Sequence, residues 1–87
     1  MLTSEPDFSA EPIRTIVLNL FATHGAQGQV RYAIGGGPDE AVFVLTTQGA
    51  ANVNEMALTQ ELTALLRRKV WVTTYSDIWA GRTAILG

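Results

Sequence analysis

Eighty-seven residues, 47% hydrophobic and only 16% charged, describe one small domain near the lower size at which a chain folds alone. Such a body cannot hide all its apolar side chains in its own core, and an apolar face left over usually meets another protein. A net charge of −2 and a pI near 5.1 argue against general nucleic-acid binding, which draws most of its affinity from a basic footprint. No cysteine is present, so disulfides, zinc–thiolate sites and cysteine nucleophiles are excluded.

Residues 1–8 read as a flexible, polar, proline-containing arm, and residues 9–87 as a single domain. The start of the chain has neither the basic region nor the apolar stretch of a secretion signal. No apolar run approaches the ~20 residues of a membrane span. With no disulfide staple of the kind small secreted domains use, the expected compartment is the cytoplasm.

Ser9 is a candidate N-cap, with Glu11 and Pro12 in the first turn of a helix. Ile13, Ile16, Val17, Leu20 and His24 then recur at helical spacing on one face. Gly25 closes that helix, and Ala26-Gln27-Gly28 is a loop. Gln29 to Ile34 reads as a strand, with Val30, Tyr32 and Ile34 on one side. Gly35-Gly36-Gly37-Pro38-Asp39 is a turn, and Glu40 to Thr47 a second strand, giving an antiparallel hairpin. The nearly unbroken apolar run Ala41-Val42-Phe43-Val44-Leu45 indicates burial on both faces, hence a central position.

Asn52 or Asn54 caps a second helix, whose apolar face is Leu58, Leu62, Leu65 and Leu66. Arg67, Arg68 and Lys69 fall in its last turn, where positive charge opposes the helix dipole. Val70 to Tyr75 is a third strand, and the C-terminal piece after Ser76 is a short helix or strand. The order α-β-β-α-β predicts an α+β fold, a two-layer sandwich with helices on one face of a small mixed sheet.

The residue patterns carry little chemistry. His24 is the only histidine; it could act as a general base, but with no nucleophile nearby in sequence it reads as a half-buried helix cap. The triple glycine could cradle an anion, yet a strand follows it rather than the helix of a phosphate loop, so a hairpin turn is the plainer reading. Arg67, Arg68 and Lys69 are weak candidates for binding an anion, because helix C-termini present carbonyl oxygens. Asp39 and Glu40 are adjacent on a strand and point to opposite faces. No catalytic residue, metal ligand or cofactor site is expected.

Trp71, Thr73, Tyr75 and Trp79 are the interface candidates. Trp71, Thr73 and Tyr75 share one side of the third strand, opposite Val70, Val72 and Thr74, and aromatics are enriched in interface cores. The alternative is packing beneath the C-terminal segment. Since a two-fold homodimer is the commonest soluble oligomer, the expected function is a small non-catalytic interaction module that dimerises, with a further protein partner possible in principle. Antitoxin, immunity and mobile-element accessory proteins are of that kind.

Leu65-Leu66-Arg67-Arg68-Lys69-Val70-Trp71-Val72-Thr73, with Pro38-Asp39-Glu40-Ala41-Val42-Phe43-Val44 before it, resembles the minimal nucleotidyltransferase family, small domains often paired with a helical partner in toxin–antitoxin systems. The likeness covers residues 38–44 and 57–74. It implies an α+β fold and, in an active member, carboxylates that hold magnesium on two strands. Asp39 matches the first carboxylate, but Ala41 stands at the second and Trp71 at the third, and the Gly-Ser turn that cradles triphosphate is missing. Metal-assisted phosphoryl transfer needs clustered carboxylates. The resemblance therefore implies a catalytically inactive relative, and the alternative function is a degenerate domain that binds nucleotide or nucleic acid.

Overall fold

The apolar run at 41–45 forms the middle of a four-stranded sheet. The computed structural model describes residues 7–34, 39–74 and 82–87. In chain order they form a 3-10 turn at Asp7–Ser9, helix α1 at Ile13–Thr23, strand β1 at Val30–Ala33, strand β2 at Glu40–Leu45, helix α2 at Glu55–Leu66, strand β3 at Lys69–Thr74 and strand β4 at Thr83–Ile85. The sheet order is β3-β2-β1-β4. Strands β1 and β2 are antiparallel, as are β1 and β4, whereas β2 and β3 run parallel with Glu40 opposite Lys69 and Leu45 opposite Thr74. Helix α2 makes the crossover that a parallel pair requires. The α+β fold with a mixed sheet is as the element order predicts, and within the C-terminal piece Thr83–Ile85 is a strand.

Both helices lie on one face of the sheet. Val17 and Phe21 of α1 and Leu58, Leu62 and Leu66 of α2 join Val30, Tyr32, Ala41, Phe43, Leu45 and Val70 in one core. The central place of β2 shows on its other face as well, where Val44 is only 1% exposed between Arg31 and Thr73.

Several local readings shift. Phe8, expected within the arm, is a core residue, its ring 5.4 Å from Tyr32 and 5.1 Å from Phe43. An aromatic ring gains too much on burial to be left in water. Helix α1 begins after Pro12, not after Ser9, and Pro12 itself offers no side-chain cap. Glu11 takes that part instead: its carboxylate accepts from the Thr15 hydroxyl and amide and pairs with Arg14. The buried stripe of α1 is Val17 and Phe21, and Ile16 is exposed. On α2, burial follows Leu58, Leu62 and Leu66 at a spacing of four, leaving Leu65 37% exposed. Asn54 is the cap of α2, its side chain accepting from the Ala57 amide.

The chain end closes the opposite edge of the sheet. Leu86 enters the core, its amide donates to the Val30 carbonyl at 2.8 Å, and its carbonyl accepts from Arg14 Nε at 2.6 Å. At the far end of α1, Gly25 has φ +95°, and a Cβ there would sit 2.6 Å from the Asn52 carbonyl oxygen. Glycine is required by both the left-handed conformation and that close approach. The turn brings the His24 carbonyl to the Asn54 amide at 3.2 Å, joining the end of α1 to the start of α2.

Candidate functional site

Strand alternation sends Trp71 and Thr73 of β3, Val42 and Val44 of β2, Arg31 and Ala33 of β1, and Thr83 and Ile85 of β4 to the sheet face away from the helices. On β3 the two sides differ as predicted: Val70 is buried, and Trp71 is 51% exposed. In register, Trp71 stands beside Val42 and Thr73 beside Val44. At the far edge Ile85 is 56% exposed and stands opposite Arg31. Arg31 lies along this face, with NH1 donating to the Thr83 hydroxyl at 3.0 Å and Nε to the Gln29 side chain at 2.9 Å. The outer face thus has two apolar ends and a polar band held by Arg31 between them. Tyr75 and Trp79, the other two interface candidates, lie outside the described residues. Ile85 was not anticipated, because the sequence after Ser76 carries too short a pattern to assign a strand or its parity.

The basic run Arg67-Arg68-Lys69 is not a cluster in space. Helix α2 ends at Leu66, so none of the three belongs to its last turn. Arg67 is the C-cap in the left-handed conformation, at φ 55° and ψ 42°. Its amide donates to the Thr63 carbonyl at 2.8 Å, closing the helix as glycine usually does. Arg68 turns toward the core side, pairs with Asp7 at 2.9 Å and lies over the Phe8 ring at 5.8 Å. Lys69 opens β3, its ammonium 5.9 Å from the Trp71 ring centre. Arg68 and Lys69 thus lie toward opposite sides of the sheet and do not converge on one anion.

His24 pairs through Nε2 with the Glu61 carboxylate, linking the end of α1 to the outer part of α2. Glu61 is half exposed, and the pair ties two helices at the surface. A shallow depression of about 240 Å³ nearby is lined by Gln27, Gly28, Thr46, Gln48 and Gly49, none of them charged. Among the described residues no group of three or more His, Cys, Asp or Glu could hold a metal ion. No helix among them is long and apolar enough to cross a membrane. The Glu11 carboxyl is held below the usual glutamate range, chiefly by the Thr15 hydroxyl, with desolvation opposing it and the Thr15 amide and Arg14 helping.

The positions mapped to a carboxylate cluster do not meet. Ala41 faces the helices in register with Val70, whereas Trp71 points to the opposite side of the sheet. Carboxylates placed at 41 and 71 would be separated by the sheet itself. No protein-family model, curated protein or solved structure matches this chain.

Proposed function

We propose that this chain is a non-catalytic protein-interaction module that pairs with a second copy of itself through the sheet surface carrying Trp71 and Thr73. The observation that carries the reading is Trp71, a large aromatic 51% exposed on an outer strand of a sheet whose two described helices lie on the other side. Tryptophan anchors interfaces because it removes much apolar area from water at little entropic cost. Neighbouring Val42 extends the patch, and low net charge gives little repulsion between copies. The antitoxin and immunity type of accessory protein is the broad class to which such a module belongs.

Sedimentation tests the proposal. The wild type is expected to be a dimer at tens of micromolar, and Trp71→Glu a folded monomer, since an unpaired charge buried in an interface costs several kcal/mol. A monomeric wild type, or a mutant dimer of unchanged strength, sinks it. Nucleotide handling has less support: among the described residues no group of three or more carboxylates gathers at Asp39, and Arg68 and Lys69 lie toward opposite sides of the sheet. A thermal-shift screen with nucleotides and magnesium separates the two readings. Ligand at 100 times its dissociation constant adds about 2.7 kcal/mol of stability, and a shift of that size would favour the nucleotide reading.

A further inference from the structure

The two edges of the sheet are built differently. Strand β4 is three residues long, and short edge strands are one way proteins avoid unwanted pairing. Strand β3 is six residues long, and no described strand lies beyond it. The Lys69 amide donates to the Asp39 carbonyl at 3.0 Å, with Glu40 in register opposite Lys69. In a parallel ladder a residue sends its N–H and C=O to the same side, and successive residues alternate. Lys69, Trp71 and Thr73 therefore bond to β2, and Val70, Val72 and Thr74 direct their backbone groups to the other edge, where no described strand pairs with them.

That edge lacks the usual protections. From Val70 to Thr74 it holds no charge and no proline, and its residues are β-branched or aromatic, which favour strands. Its only charge is Lys69, at one end.

We propose that β3 pairs edge to edge with β3 of a second copy, antiparallel, about a two-fold axis through Trp71. This rests on the homodimer proposed above but joins the two copies at the β3 edge, in one continuous eight-stranded sheet, and not by stacking their outer faces; the two Trp71 rings then lie side by side on the shared outer face. The strand is its own complement in this register. Val70 meets the partner's Val72 and each exchanges both backbone bonds with the other, which only residues directed to that edge can do. Trp71 meets the partner's Trp71 at a non-hydrogen-bonded position, where opposed side chains come closest. Lys69 meets the partner's Thr73, so no like charges oppose. The axis is perpendicular to the sheet, and both helical layers stay on one side.

Cysteine cross-linking reads the register, because the chain has no cysteine of its own. Opposed residues at non-hydrogen-bonded positions have Cα atoms about 4.5 Å apart, within the range a disulfide spans. The double variant Lys69→Cys with Thr73→Cys keeps Trp71. Under oxidised glutathione it is expected to become mostly covalent dimer on a non-reducing gel. Residues 69 and 73 are ~13 Å apart along one strand, too far to bridge within a chain. By the same spacing each single variant meets no second cysteine and is expected to stay monomeric on the gel. Trp71→Cys alone, opposite itself across the axis, is expected to cross-link and serves if the double variant misfolds. A wild type that sediments as a dimer, with neither Trp71→Cys nor the double variant linking, or with both single variants linking as fast as the double, overturns edge pairing and leaves the homodimer standing. A monomeric wild type overturns both.

Discussion

The two faces of the one sheet obey different rules. On the inner face β1, β2 and β3 present Val30, Tyr32, Ala41, Phe43, Leu45 and Val70, all buried against the helices and Phe8. On the outer face the same strands present a valine as buried as any core residue, an arginine stretched along the sheet, and a half-exposed tryptophan. Packing explains every residue of the first face. It does not explain Trp71, which lies on the face away from α1 and α2 and is half exposed. An apolar residue that folding does not require is the kind of residue association uses.

The sharpest way to break that contrast is to truncate adjacent residues of β2. Phe43 is fully buried and meets both Phe8 and Phe21. Phe43→Ala is expected to cost about 3–5 kcal/mol, from lost transfer energy and the cavity left behind. Val42→Ala, one residue away on the half-buried outer side, is expected to cost about 1 kcal/mol from the methyl groups removed. Urea denaturation measures both. Equal losses would mean that the outer face is as much a core as the inner one.

The same test applied to α2 is smaller and concerns the helical layer. Leu62 is fully buried and Leu65 is not. Leu62→Ala is expected to cost about 2–5 kcal/mol and Leu65→Ala under about 0.5 kcal/mol. A reversed order would put the wrong side of α2 against the sheet. The sequence alone cannot rank these two leucines, since spacings of three and four are both helical neighbours. Only the packing geometry, which follows the row Leu58, Leu62, Leu66, decides between them.

Such limits recur along the chain. The α+β order and the central place of β2 were legible, because an apolar run of five residues in a strand has no other place to go. The alternation of β3 was legible too, since a period of two fixes its sides once one is known. Phe8 was not: one aromatic in a polar stretch has no periodicity, and its burial depends on a gap that only the assembled helices and sheet define. Nor was the dispersal of Arg67, Arg68 and Lys69, which turns on a single left-handed residue. Ile85 and the clamp of Leu86 on Val30 were hidden because a three-residue strand leaves no pattern.

Arg67 offers a change outside both faces. A left-handed backbone costs a residue with a Cβ about 1–2 kcal/mol, and glycine is the usual occupant at this helix position. Arg67→Gly is expected to stabilise the fold by roughly 0.5–1 kcal/mol, offset in part by the greater freedom of glycine in the unfolded chain. Because the guanidinium leaves neither face, the sedimentation of the dimer is expected to be unchanged. A loss of stability would show that the Arg67 side chain makes a contact that outweighs the backbone cost. A loss of dimer would place Arg67 in the interface.

The smallest effect concerns acid. Among the described residues the core holds no buried charged side chain, so acid finds no carboxylate or histidine to protonate there. Glu11 is different, since hydrogen bonds from Thr15 and the charge of Arg14 hold its folded carboxyl below the ordinary range. A carboxyl depressed in the folded state adds stability above its unfolded value, about pH 4.3, and loses it as pH falls through the lower folded value. Gln at this position can still accept from Thr15 but cannot carry the charge. Glu11→Gln is therefore expected to unfold at a slightly lower urea midpoint than the wild type at pH 7, with the two midpoints converging toward pH 3. A difference of the same size at both pH values would assign the role of Glu11 to shape rather than charge.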